Sequence, residues 1–194
     1  MSLLKNRSMR FYLVFFLVLT MALGGSAIAA FADSGTGASV AVSGGSLSQA
    51  APTTVAATPV SLTGDDQTTS YALALTVNDP RGSGAGWHMT ITSTLFDDGA
   101  GHQLASGASN ILTPPAVACI SGGGHCTPPT NSVTYPLGVP AASPAPAAVP
   151  LFNAAVNSGL GKFTITPTIT VSIPANTYAG TYTSTVSVAI ATGP

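Results

Sequence analysis

The sequence predicts an all-β protein, an antiparallel β-sandwich that follows a cleaved N-terminal signal helix. Three observations carry this. Apolar residues alternate with Thr and Ser over several runs, the period of a strand with one buried and one solvated face. Charged residues make up only 6 % of the chain and Glu is absent, so the hydroxyl-rich, Val-rich remainder favours extended structure over helix. Gly and Pro cluster between the alternating runs, where they punctuate strands with turns.

The N-terminus comes first. Lys5, Arg7 and Arg10 precede an apolar run from Phe11 to Leu23, followed by Ala27-Ile28-Ala29 and Ala30-Phe31-Ala32. A basic start, an apolar centre and A-x-A sites make residues 1–32 a secretory signal peptide, with cleavage expected after Ala32. The apolar run is shorter than the roughly 20 residues that span a bilayer, which argues against a retained anchor, and no cysteine follows it to carry a lipid. The mature chain then keeps Arg81 and Lys162 against six Asp, a net charge of −4. That balance excludes the basic footprint that nucleic acid or an anionic membrane surface requires. Asp33–Pro194 is one domain, long enough to bury about 70 % of its unfolded surface. The mature part carries no membrane span.

Within it, Ser34–Gly45 opens with Gly and Ser around Val40-Ala41-Val42, and the Ser-Gly-Gly-Ser stretch at 43–46 reads as a turn. Val55–Leu62 alternates weakly across Pro59, which suggests an edge strand. After a turn at Gly64-Asp65-Asp66-Gln67 comes the organising stretch. Tyr71, Leu73, Leu75 and Val77 share one side of a strand; Asn78–Gly86 is a Gly/Pro loop; Trp87, Met89, Ile91 and Leu95 share one side of the next, opposite Thr90, Thr92 and Thr94. This reads as strand, turn, strand, a hairpin holding the only Trp of the chain. Phe96–His102 closes it with a second loop. From Gln103 to Phe152 the pattern dissolves, and around 113–152 Pro114-Pro115, Pro128-Pro129 and the run from Pro136 to Pro150 predict a long loop excursion without regular ladders. Leu104, Ile111 and Leu112 could seed one short strand before it. Phe163, Ile165, Ile169, Val171 and Ile173 then alternate with Thr and Ser, as do Tyr182, Val186, Val188 and Ile190.

Few residues could carry chemistry. Cys119 and Cys126, the only cysteines, enclose a short Gly-rich segment, and in an exported chain such a pair forms a disulfide worth about 2–3 kcal/mol. The alternative is a metal site of Cys119, His125 and Cys126, which lacks a fourth nearby ligand. Asp65-Asp66, Asp79 and Asp97-Asp98-Gly99 could make an oxygen-rich calcium site, but ordinary turn chemistry explains each pair and no loop shows the alternating ligand series of a calcium motif. His88, His102 and His125 are not joined to any nucleophile elbow, acid/base carboxylate pair or phosphate-binding loop, so no catalytic residue and no cofactor are expected. Trp87 has two readings, a core residue sharing a face with Met89 and Ile91, or an exposed platform for sugar rings.

Val42–Ser48 (VSGGSLS), Leu73–Phe96 (LALTVNDPRGSGAGWHMTITSTLF) and Tyr182–Ile190 (YTSTVSVAI) before a final Gly-Pro together resemble the WxL domain, a family of secreted bacterial surface proteins whose β-sandwich binds the cell wall non-covalently. The first of the family's two Trp-x-Leu motifs corresponds to Trp87-His88-Met89, with Met for Leu. The second corresponds to Val188-Ala189-Ile190, which lacks the Trp. The resemblance implies wall polysaccharide or peptidoglycan as partner, other surface proteins as further candidates, and Trp87, His88, Met89, Val188 and Ile190 as ligand-binding residues. No sortase-type motif or apolar tail precedes Pro194, so attachment is expected to be non-covalent. A fibre subunit assembling by strand addition is the alternative, and a secreted hydrolase is the third class, for which no residues are found.

Overall fold

A computed structural model describes residues 37–120 and 124–194; the signal peptide expected at 1–32 and the cleavage expected after Ala32 lie outside the described residues. Residues 37–41 are exposed, irregular chain belonging to a separate N-terminal unit, and the folded unit is Val42–Pro194. All regular structure in it is strand, and every strand pair is antiparallel, as a β-sandwich requires.

The described residues form eleven strands: β1 (Ser48–Ala50), β2 (Gln67–Ala72), β3 (Leu75–Asp79), β4 (Trp87–Ser93), β5 (Ser109–Ile111), β6 (Ala116–Cys119), β7 (Leu137–Gly138), β8 (Val149–Ala154), β9 (Gly161–Thr166), β10 (Thr168–Ile173) and β11 (Val186–Thr192). They make three sheets, in the orders β1-β3-β9-β6, β2-β10-β5-β7 and β11-β4-β8. Two of these share one long ribbon. Gln67 faces Ile173 at one end and Asp79 faces Gly161 at the other, with no residue gained or lost between. The ribbon bends where Leu73 meets Pro167: the Leu73 N–H donates to the Pro167 carbonyl at 3.0 Å, and proline has no N–H to return the bond. With the ladder interrupted there, the strands pass from one sheet to the next while the alternation continues. Tyr71, Leu73, Leu75 and Val77 are all buried, as are Phe163, Ile165, Ile169 and Val171 opposite.

The stretch expected to be a hairpin is not one. β3 pairs with β1 and β9, whereas β4 pairs with β8 and β11, so Pro80–Gly86 carries the chain from one sheet to another. The loop is longer than the roughly two to five residues of ordinary hairpin connections, and a buried ion pair holds it instead of a ladder. The alternation of β3 runs one step, two residues, past Val77 to put Asp79 on the core side, 2 % exposed. Arg81 Nε and Nη2 donate to the two Asp79 carboxylate oxygens at 2.7 and 2.8 Å, Nη2 also to the Gly86 carbonyl at 2.8 Å, and Nη1 to Thr192 Oγ1 on β11 at 2.9 Å. One guanidinium thus joins the end of β3, the start of β4 and the end of β11.

Two further expectations are corrected. Val55–Leu62 forms no strand; it is irregular, tied by the Thr69 hydroxyl to the Thr58 carbonyl at 2.6 Å, and β1 instead takes the place beside β3. The 113–152 stretch is not an excursion, because it contains β6, β7 and most of β8, which join three different sheets. The prolines fall where strands tolerate them: Pro114-Pro115 and Pro136 precede β6 and β7, and Pro150 lies on β8, the edge of its sheet. A bulge there opposes Met89 to Phe152 but Thr90 to Pro150, so Leu151 is an extra residue, and Leu151 to Ala154 are all buried. One core cluster draws on all three sheets, with Trp87, Phe163, Leu75 and Met89 its largest fully buried side chains.

The Asp79 carboxyl is held below the usual carboxylate range chiefly by the Arg81 side chain. A depressed folded-state value means that its contribution is present above the ordinary Asp range and is lost as pH falls below it. Arg81→Ala leaves that carboxylate buried without its partner, so urea unfolding at neutral pH is expected to show a loss of about 3–5 kcal/mol. Replacing both residues, as in Asp79→Asn with Arg81→Met, is expected to recover a large part of it.

Candidate functional site

The tripeptides read as motif positions lie side by side. In the β4–β11 register Trp87 faces Thr192, Met89 faces Ile190 and Ile91 faces Val188. Period-2 alternation then divides them between the two sides of the sheet. Trp87 and Met89 are 0 % exposed, and Val188 and Ile190 are partly buried against the same core. The indole stacks on Phe152, ring centroids 6.0 Å apart, and its N–H donates to the Gly159 carbonyl at 3.0 Å. Trp87 therefore presents no face to solvent, as a platform for sugar rings would need. Gly159 has φ +68°, and a Cβ there would lie 2.7 Å from the indole nitrogen, so this close approach needs glycine.

Of the five expected ligand residues, His88 is the one that opens on a pocket. It points to the opposite side of β4, where the chain between β6 and β8 folds over the sheet. A cavity of about 520 Å³ lies there, lined by Leu137, Pro150, Phe152 and Asn153 with the turn Ser132-Val133-Thr134 and Pro194. Its wall is rigid because its polar groups satisfy one another. Asn131 Oδ1 accepts from the Asn153 and Val133 backbone N–H groups, Asn153 Oδ1 accepts from the Ser132 N–H at 2.7 Å, and the Tyr135 hydroxyl donates to the Leu151 carbonyl at 2.6 Å. His88 Nδ1 lies 2.6 Å from the Gly193 carbonyl. A carbonyl can only accept, so Nδ1 carries a proton, and in the neutral ring Nε2 is then the acceptor. Among the described residues, no Asp, Glu, Lys or Arg lines the cavity.

A second cluster sits on the loop after β4. Asp97 and Asp98 form side-chain-to-backbone turns, accepting from Gly99 N at 2.6 Å and Ala100 N at 2.8 Å. Asp98 Oδ2 also meets His102 Nδ1 at 2.7 Å, and the imidazole stacks on the exposed Tyr178 ring, centroids 3.9 Å apart. The His102 hydrogen bond is the largest cause of the Asp98 carboxyl being held down at about 2. Gln103, then Gly99, lower Asp97 in the same way.

Two more of the carboxylates weighed for calcium have partners within the protein: Asp66 Oδ1 accepts from Ala175 N at 2.8 Å, and Asp79 holds Arg81. Among the described residues no three His, Cys, Asp or Glu side chains are grouped to hold a metal ion. Cys119 and Cys126 form a disulfide, Cα atoms 6.1 Å apart, so neither thiol is available as a ligand. The bridge is compatible with an extracellular protein. It returns the chain from β6 to the start of β9, where Ile120 N donates to the Lys162 carbonyl and Thr127 N to the Leu160 carbonyl.

No family model, curated protein or solved structure matches the chain. The pocket residues at 132–137 and 150–153 were not legible in the sequence as site residues, since the stretch reads as a Pro-rich loop. The sole hint was His88 opposite a core Trp.

Two measurements follow. Gly159→Ala is expected to push the indole from its carbonyl partner, red-shifting the emission of this single-Trp chain and costing about 1–3 kcal/mol of stability. In a carboxyl NMR titration Asp98 is expected to titrate at about 2, and in His102→Ala to move up toward the ordinary value of about 3.9.

Proposed function

We propose that this is a secreted, non-catalytic protein of a bacterial cell surface, WxL-like, that attaches non-covalently to wall polysaccharide or peptidoglycan. The observation that carries this reading is the pairing of the two motif-equivalent tripeptides on neighbouring strands, Met89 against Ile190, in a sheet whose outer side is free of charge. His88, Thr90 and Thr92 of β4 and the exposed Ser187, Ala189 and Ala191 of β11 make up that side. Hydroxyls and small apolar groups suit a neutral, hydroxylated polymer, which offers no charge to pair. The signal-like segment at 1–32, the disulfide and the sequence resemblance support the exported setting. The buried Trp87 contributes by fixing β4 against Gly159, so the motif's role here is to hold the sheet and let its other side make the contact.

Strand addition into a fibre is a second reading, favoured by β6, an edge strand with all four residues exposed, and by Val40 and Val42, 86 % and 88 % exposed. Electron micrographs of the purified protein that show filaments would favour it over attachment as a monomer.

Attachment is tested by sedimentation with isolated sacculi. The wild-type chain is expected to pellet with them, and Ala189→Glu, which sets a charge on the exposed side of β11, to pellet several-fold less while keeping its circular dichroism spectrum. Wild-type protein staying in the supernatant at every sacculus concentration refutes the reading.

A further inference from the structure

We infer that the cavity beside His88 is a binding site for one neutral sugar unit, whose apolar ring face packs on Leu137 and Pro150 while one of its hydroxyls donates to His88 Nε2. The inference deepens the wall-attachment reading and rests on it for the source of the sugar. Four features of the site lead to it. The volume, about 520 Å³, falls among those of small-ligand pockets, roughly 300–1,000 Å³, and is too small for a folded partner. The lining joins apolar side chains to a few polar ones, the combination that a pyranose, with its C–H face and its ring of hydroxyls, complements.

The polar groups are also sorted. Asn153 and Ser132 are bonded to each other, with Asn153 Nδ2 donating to Ser132 Oγ at 3.0 Å, so they build the wall and do not reach for a ligand. His88 is different. Its Nδ1–H is fixed on the Gly193 carbonyl, which orients the ring and makes Nε2 of the neutral ring an acceptor, suited to a group that carries a hydrogen. A hydroxyl supplies one; a carboxylate does not. Finally, the lack of Lys and Arg among the described lining residues leaves an acidic sugar without a counter-charge, and burying an unpaired carboxylate is costly. The pocket is therefore selective for uncharged units of a glycan over uronic or lactyl-bearing ones.

The test titrates the full secreted chain with N,N′-diacetylchitobiose, a neutral amino-sugar dimer, and in parallel with glucuronic acid, following the His88 ring and Leu137 methyl signals by NMR. Chitobiose is expected to shift both saturably and glucuronic acid to shift neither. His88→Ala is expected to weaken chitobiose about tenfold, the scale of one lost hydrogen bond at a desolvated site. Leu137→Trp sets a larger ring in the cavity and is expected to abolish the His88 shift; its circular dichroism spectrum controls for folding. Absence of saturable shifts with chitobiose, equal binding of glucuronic acid, or unchanged affinity in both variants each overturns the inference. The two proposals separate cleanly. Sedimentation with sacculi but no chitobiose binding leaves attachment standing and removes the pocket; chitobiose binding without sedimentation does the reverse.

Discussion

The architecture hangs on a buried charge pair. Arg81 is the only arginine of the folded unit, and its guanidinium is turned inward to the Asp79 carboxylate, the Gly86 carbonyl and the Thr192 hydroxyl. Bidentate pairing of this kind fixes orientation as well as distance. Here it sets how the chain leaves β3 for a different sheet and where the last strand comes to rest. Because β4 starts at the far end of that loop, the position of Trp87 over Gly159 and the outward aim of His88 both follow from it. Exposed ion pairs contribute little, but this carboxylate is almost fully withdrawn from water, and it has no other cation to turn to.

What could be read from the residues was which side of a strand is wet. Tyr71 to Val77, Trp87 to Ile91 and Phe163 to Val171 are buried as their alternation predicts. Partnership could not be read in the same way, because a period of two fixes a face but says nothing of the neighbour. Two alternating runs on either side of a Gly-rich loop look like a hairpin, and they belong here to separate sheets. Pro167 was visible as an interruption, but its effect, bending a ribbon whose register never slips, depends on Leu73 standing opposite it. Asp79 was within reach: extending the alternation of β3 by one step puts an acid on the core side, and the only nearby base stands two residues on.

The Pro-rich middle of the chain was the hardest part to read, and it matters most to the candidate site. Prolines argue against strands only where a ladder needs their N–H; at strand starts and sheet edges they cost little, and there they are found. Most of the pocket wall comes from this region, held by amide and hydroxyl contacts between Asn131, Ser132 and Asn153 that no periodicity announces. The disulfide was legible from spacing alone. Its location beside the otherwise uncovered edge strand β6 was not, since it depends on β9 lying next to both cysteines.

The ribbon has a consequence for the order in which the molecule can assemble. β2 and β3 find their partners in β10 and β9, some ninety residues downstream, and β4 waits for β11 at the end of the chain. A polypeptide emerging N-terminus first can complete none of its three sheets until its closing segment arrives. Contacts of such long sequence separation form slowly. The half-made chain keeps its apolar strand faces uncovered until that segment is in place.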